Sequence, residues 1–231
     1  MRRWAFTANK AEQLNLAQPY FSDPNKSAGA VVNWGAYSQL FFSCVYTPDD
    51  ASANDGVLAS YVGSGGEEWR IKTDNRELVF DDGTNTITLG EFVDAVYVPH
   101  RIVIVWDDTA WESWILNLNT GALENNSGVK SSVNYSDGGT IYIGRDGTDT
   151  DQAYGLIRDT TFGFSKLFDD YEIYLSGGFI RRDDMAHWPM REGSGDTFFD
   201  VITGMDLENS LAGSGGIRWS APDPRQPKRW V

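Results

Sequence analysis

Three carboxylates, Asp146, Asp149 and Asp151, fall within six positions in the run Gly144-Arg145-Asp146-Gly147-Thr148-Asp149-Thr150-Asp151. Hard oxygen ligands at that density suit Ca²⁺. The spacing follows no fixed calcium loop, however, and acidic loops are common in a chain this acidic. A second cluster, Asp81-Asp82-Gly83-Thr84-Asn85, reads more simply as a hairpin turn. Nucleophilic chemistry has little to draw on. Cys44 stands in an apolar run, Phe42-Ser43-Cys44-Val45, without the electropositive neighbours that make a thiolate reactive, so it reads as a small core residue. His100 reads as a strand-entry residue and His187 as part of the strand before Trp188. No P-loop, dinucleotide glycine pattern, zinc spacing or EF-hand loop occurs. No cofactor is expected, with Ca²⁺ the one candidate.

Sugar recognition would need aromatic platforms with polar partners. Trp69, Trp106, Trp111, Trp114, Tyr97 and Tyr142 could supply them, although alternating strand positions bury most such rings. Trp111, beside the turn Asp107-Asp108-Thr109-Ala110, is the ring expected at the surface and the candidate glycan contact. The chain ends carry a different signal. Arg2, Arg3 and Trp4 open the chain, while Arg225, Lys228, Arg229 and Trp230 close it. Basic-aromatic ends on an acidic body point to docking on an acidic or groove-shaped partner, or to folding back on the body.

Strands must position these residues. Runs rich in β-branched and aromatic residues cover 38–47, 57–62, 68–73, 77–80, 85–91, 101–107, 112–119, 140–146 and 159–167. The run from Ile102 to Trp106 is apolar throughout, which predicts a strand covered on both faces, central in a sandwich of two sheets. Phe162 and Phe164 alternate with Thr161 and Gly163, so one face should point inward. Asp82-Gly83, Asn119-Thr120-Gly121 and Asp137-Gly138-Gly139 supply turns between runs. A single helix is predicted within 167–178, stopped by Gly177-Gly178. Residues 1–28 read as an N-terminal arm, 29–215 as one sandwich domain and 216–231 as a basic, Pro-rich tail.

The chain has 231 residues, a net charge of −14, 41% hydrophobic and 13% aromatic residues. That is enough apolar chain to build a core, which argues against disorder. No apolar run reaches the ~20 residues of a bilayer span, and the amino terminus has no apolar signal segment. A single cysteine makes no intrachain disulfide. The strong acidity argues against nucleic-acid binding, which rests on neutralising phosphates.

Three stretches, with the order of elements around them, resemble a laminin-G-like, concanavalin-A-type jelly roll. They are the strand Pro99 to Asp107; Thr140 to Arg145 with the later Leu167 to Ile173; and Trp188-Pro189-Met190-Arg191-Glu192-Gly193-Ser194-Gly195-Asp196-Thr197 with Asp200 and Trp219. The last is the most specific, and it is similar to a segment of bacterial and phage members. Together they span roughly residues 30–220. Trp114 to Asn119 departs from the family pattern for that strand. The resemblance implies an all-β fold of two antiparallel sheets, with one short helix and extended terminal arms. In the glucanase branch of this fold, paired carboxylates stand at i and i+4 on one strand face. Asp108 and Glu112 come nearest, but Thr109 and Ala110 put a turn between them, so no enzyme is expected.

The leading expectation is a virion structural protein, made in the host cytoplasm without signal or cystine. It would be a capsid decoration or accessory protein of a tailed phage. Its arms would dock on other virion proteins, above all the major capsid protein, and copies would form a homo-oligomer on the particle. A carbohydrate-binding module of a tail or fibre apparatus is the alternative. Neither nucleic acid nor membrane is an expected partner.

Overall fold

Two eight-stranded antiparallel sheets face each other in the computed structural model. It describes residues 19–21, 28–32, 39–48, 56–92, 97–107, 109–129, 139–144, 153, 155–163, 171–182, 185–190, 197–209 and 218–219. The strands in chain order are β1 (Pro19–Phe21), β2 (Ala28–Val32), β3 (Leu40–Pro48), β4 (Gly56–Val62), β5 (Glu68–Asp74) and β6 (Glu77–Asp81). Next come β7 (Thr86–Glu91), β8 (His100–Trp106), β9 (Ala110–Asn117), β10 (Leu123–Val129), β11 (Gly139–Ile143) and β12 (Gly155–Gly163). A short helix α1 (Tyr171–Leu175) precedes β13 (Met185–Trp188), β14 (Thr197–Phe198), β15 (Leu207–Asn209) and β16 (Arg218–Trp219). The first sheet runs β10-β9-β8-β3-β12-β1-β16, with β13 also paired to β12; the second runs β14-β15-β2-β11-β4-β5-β6-β7.

The inner faces meet around Trp69 of β5. Its ring lies edge-on to Trp106 at 5.6 Å and 5.8 Å from Phe162, both on the opposite sheet. Phe162 is fully buried as the alternation predicts, while Phe164 lies outside the described residues. Every position of β8 is buried. Ile102, Ile104 and Trp106 join the inter-sheet core, and Val103 and Val105 join a second cluster with Phe41, Val45 and Trp114.

That second face is covered differently from expectation. A helix closes it instead of a sheet: Tyr174 packs on Phe41 at 4.3 Å, and Tyr171 stacks on Trp114 at 4.1 Å and 6°. The helix occupies only Tyr171–Leu175 of the predicted segment, with 167–170 outside the described residues. Gly177, at φ 88, ends it. Gly177 N–H donates to the Tyr174 carbonyl (3.0 Å) and Gly178 N–H to that of Ile173 (2.9 Å), the left-handed cap that glycine adopts without strain.

Pro19–Phe21, within the predicted N-terminal arm, pairs with β12, and Arg218–Trp219, within the predicted tail, pairs with β1. Residues 1–18 and 220–231 lie outside the described residues. Strand β10, Leu-Glu-Asn-Asn-Ser-Gly-Val, was not anticipated, because its polar sequence carries no hydrophobic alternation.

Candidate functional site

The sequence-predicted candidates scatter. Trp111 is buried (8% exposed) in the inter-sheet core, its ring so close to Gly128 that a Cβ there would touch it at 2.8 Å. The expectation of an exposed platform at Trp111 is therefore corrected. The ring follows the burial pattern of β9, and the turn beside it does not pull it out. Asp108 and Asp146, Asp149 and Asp151 lie outside the described residues, as do Arg2, Arg3, Trp4, Arg225, Lys228, Arg229 and Trp230. The base of the acidic loop is nonetheless placed: Gly144 N–H donates to the Leu58 carbonyl and Ala153 N–H to that of Gly144, each at 2.9 Å. Among the described residues, no group of three His, Cys, Asp or Glu is placed to hold a metal ion.

Cys44 and both histidines are structural. Burial pushes the Cys44 thiol far up, an effect only partly offset by the Arg101 charge, so no thiolate forms. His100 begins β8 and meets Phe92 edge-on at 5.3 Å. His187 bonds the Thr161 hydroxyl through Nδ1 at 2.8 Å and stacks on Phe179 at 4.3 Å.

A polar recess lies on the outer face of β5 and β6. Because the strand period is two, Trp69 and Ile71 point inward while Glu68, Arg70 and Lys72 point outward. Register then sets Arg70 opposite Asp81 on β6. Arg70 forks onto Glu68 with contacts of 3.2 and 3.0 Å, and Lys72 reaches Asp81 at 3.0 Å. A depression of about 370 Å³ opens there, lined by Glu68, Arg70, Asp81, Gly83, Thr84 and Thr86. Its rim is the predicted hairpin turn. Asp82 Oδ1 accepts from the amides of Thr84 (3.0 Å) and Asn85 (2.8 Å), and Gly83 N–H donates to Asp81 (2.8 Å). Partial burial alone would raise the Asp81 carboxyl. The Gly83 amide and the charges of Lys72 and Arg70 outweigh it and hold the group below its ordinary range. An ionised acceptor beside a guanidinium and two hydroxyls can bind a hydroxyl-rich ligand, but it stores no proton for general-acid work.

Tyr97, one of the rings offered as a platform, is 72% exposed with φ 59, its N–H tied to the Pro48 carbonyl at 2.8 Å. One further feature escaped the sequence reading. A β-bulge in β12 carries Asp159 at φ 49 between Arg101 (3.2 Å) and Arg158 (3.0 Å), all three nearly solvent-free. No local pattern announces it.

No protein-family model matches this sequence, and no curated protein matches it in sequence. Comparison with solved structures is informative about shape. A protein from Bacteroides ovatus proposed to bind carbohydrate superposes with a TM-score of 0.63 at 11% identity, over 90% of this chain and 60% of that one. A pentraxin from Limulus polyphemus gives 0.49 at 14% identity, over 67% of this chain and 78% of that chain. Tailspike protein 2 of bacteriophage CBA120 gives 0.48 at 13% identity, over 62% of this chain. This chain spans only 25% of that tailspike domain's length and 60% of the Bacteroides protein's. The fold is a two-sheet jelly-roll sandwich of the concanavalin-A type. At these identities the likeness extends to the fold.

Proposed function

We propose that this chain is a non-enzymatic assembly protein, a capsid decoration or accessory protein of a tailed-phage particle. It docks through its two ends on the major capsid protein and turns the sandwich outward. The observation that carries this reading is the antiparallel register of β1 and β16, in which Pro19 lies opposite Trp219. Pro19 and Trp219 therefore share one corner. We take Arg2, Arg3 and Trp4 and Arg225, Lys228, Arg229 and Trp230, which flank those strands in sequence, as one linked docking element, whose contacts reinforce one another through effective concentration. The net charge of −14 keeps neighbouring bodies apart on a shell.

Co-sedimentation with empty phage particles assembled without this chain tests the reading. The purified chain should sediment with them. Reversing Arg2, Arg3, Arg225, Lys228 and Arg229 to Glu should release it while leaving the melting curve unchanged. A wild-type chain that stays in the supernatant at every salt concentration refutes the assignment.

Carbohydrate recognition is the second reading, favoured by the recess at Arg70. Sugar hydroxyls would accept from the Arg70 guanidinium and donate to Asp81 and Glu68. Arg70→Ala should then abolish binding on a glycan array without lowering thermal stability. A blank array for the wild-type chain, with and without Ca²⁺, removes this reading.

A further inference from the structure

We infer that the free edge of β10 is a self-complementary interface, through which two copies of this chain join their first sheets about a two-fold axis. Strand β10 ends that sheet, at the opposite side from β1 and β16, and among the described residues it pairs only with β9. The β9–β10 register is unbroken from Leu123↔Leu116 to Val129↔Ala110. Asn117 N–H donates to the Ala122 carbonyl at 2.8 Å, which fixes the alternation. Residues 124, 126 and 128 turn their backbone groups to β9, while 123, 125, 127 and 129 turn theirs outward.

The outward set has a two-fold arrangement of its own. An antiparallel copy centred on Asn126 places Leu123 opposite the second copy's Val129, and Asn125 opposite its Ser127. All four are positions whose N–H and C=O face the open edge. Leu123 is 51% exposed and Val129 87% exposed, so the pairing covers the two apolar side chains this strand leaves in water. The strand's one charge, Glu124, falls opposite Gly128 and not opposite another carboxylate. Like charges would otherwise oppose the pair.

Features that deter edge pairing stand on a neighbouring edge. Strand β7 ends the second sheet with a register break at Leu78/Val79, Gly90 at φ 158 and an exposed Glu91, a broken and charged edge that resists pairing. Strand β10 has no bulge, proline or lysine. Because β10 and the β1–β16 pair lie at opposite sides of the sheet, such a dimer leaves the β1–β16 corner of each copy free. The body charge of −14 sets copies against each other, so association should strengthen with salt.

Sedimentation equilibrium of the full chain should show a dimer, tighter at about 0.5 M salt, where screening leaves only a few ångströms of charge reach. Ser127→Pro removes an outward N–H without touching the β9 ladder, and Val129→Lys puts a charge against Leu123. Both should yield monomers with unchanged circular dichroism. Asn126→Cys should form an intermolecular disulfide under mild oxidation, since the axis brings those residues together, whereas Ser127→Cys should not. Cys44 is fully buried and adds no background. A monomer at all salt concentrations overturns the inference, as does a dimer that survives Ser127→Pro and Val129→Lys, or one that Asn126→Cys fails to cross-link.

Discussion

The indole N–H of Trp188 donates to the Met205 carbonyl at 2.7 Å, joining the end of β13 to a loop seventeen residues further on. Asp200 closes the same loop from the other side. Its carboxylate accepts from the amides of His187 (2.9 Å), Ile202 (2.9 Å), Thr203 (2.9 Å) and Met205 (3.1 Å), and from the Thr203 hydroxyl. The tryptophan and aspartate of the most family-like stretch thus form a clasp within the fold.

Removing the ring empties a fully buried site. Trp188→Ala should cost ~3–5 kcal/mol in urea unfolding. Trp188→Phe keeps most of the packing but strips the Met205 carbonyl of its donor, for about 1–3 kcal/mol. A melting curve indifferent to Trp188→Ala would show that the clasp is peripheral.

Acid should loosen the same loop. Burial by itself raises the Asp200 carboxyl, but the Thr203 hydroxyl and the amides of His187, Ile202 and Thr203 bring it below its ordinary value of 3.8. A folded pKa below the unfolded one means that the stabilisation is complete at neutral pH. It fades as the pH falls below about 3.8 and is gone beneath the folded value. Asp200→Asn should cost ~1–3 kcal/mol at pH 7 and flatten the acid limb of stability against pH. An unchanged acid limb would assign the acid sensitivity to other carboxyls.

Asp159 lies between two buried guanidiniums, those of Arg101 and Arg158. Asp159→Asn removes the carboxylate that bridges both cations and should cost ~3–5 kcal/mol. Asparagine tolerates the left-handed backbone found there, so strain does not confuse the comparison. Arg101→Met leaves the Arg158–Asp159 pair intact and should cost less. The reverse order, read from denaturant midpoints, would mean that Arg101 is chiefly a packing residue.

Gly155 starts β12 at φ 143, where an added Cβ would overlap the Thr47 carbonyl. Gly155→Ala should destabilise by more than about 1 kcal/mol, beyond the usual cost of a surface exchange. Equal stability by thermal melting would show that β3 and β12 separate there without penalty.

The strand framework was legible because local hydropathy carries it, as alternation or as an unbroken apolar run. The run from Ile102 to Trp106, Phe162, and the Asp82-Gly83 turn all stand where their local pattern puts them. Trp111 misled because nearness to a turn says nothing about which face of β9 its ring takes. The recess at Arg70 was invisible for another reason: Glu68, Arg70 and Asp81 read as ordinary outward charges until register sets Arg70 against Asp81.

By itself, the order of residues determined that this chain makes strands, that Cys44 is core, and that its ends are basic and aromatic. Hydropathy period and composition are local quantities, and they survive without a fold. Only the tertiary structure decided that Arg101 meets Asp159 across fifty-eight positions, and that polar β10 completes a sheet. It alone also brought β1 beside β16, with Pro19 opposite Trp219. Those relations depend on which strand lies beside which. Backbone hydrogen bonds and a shared core select that pairing, and no short window of sequence contains it.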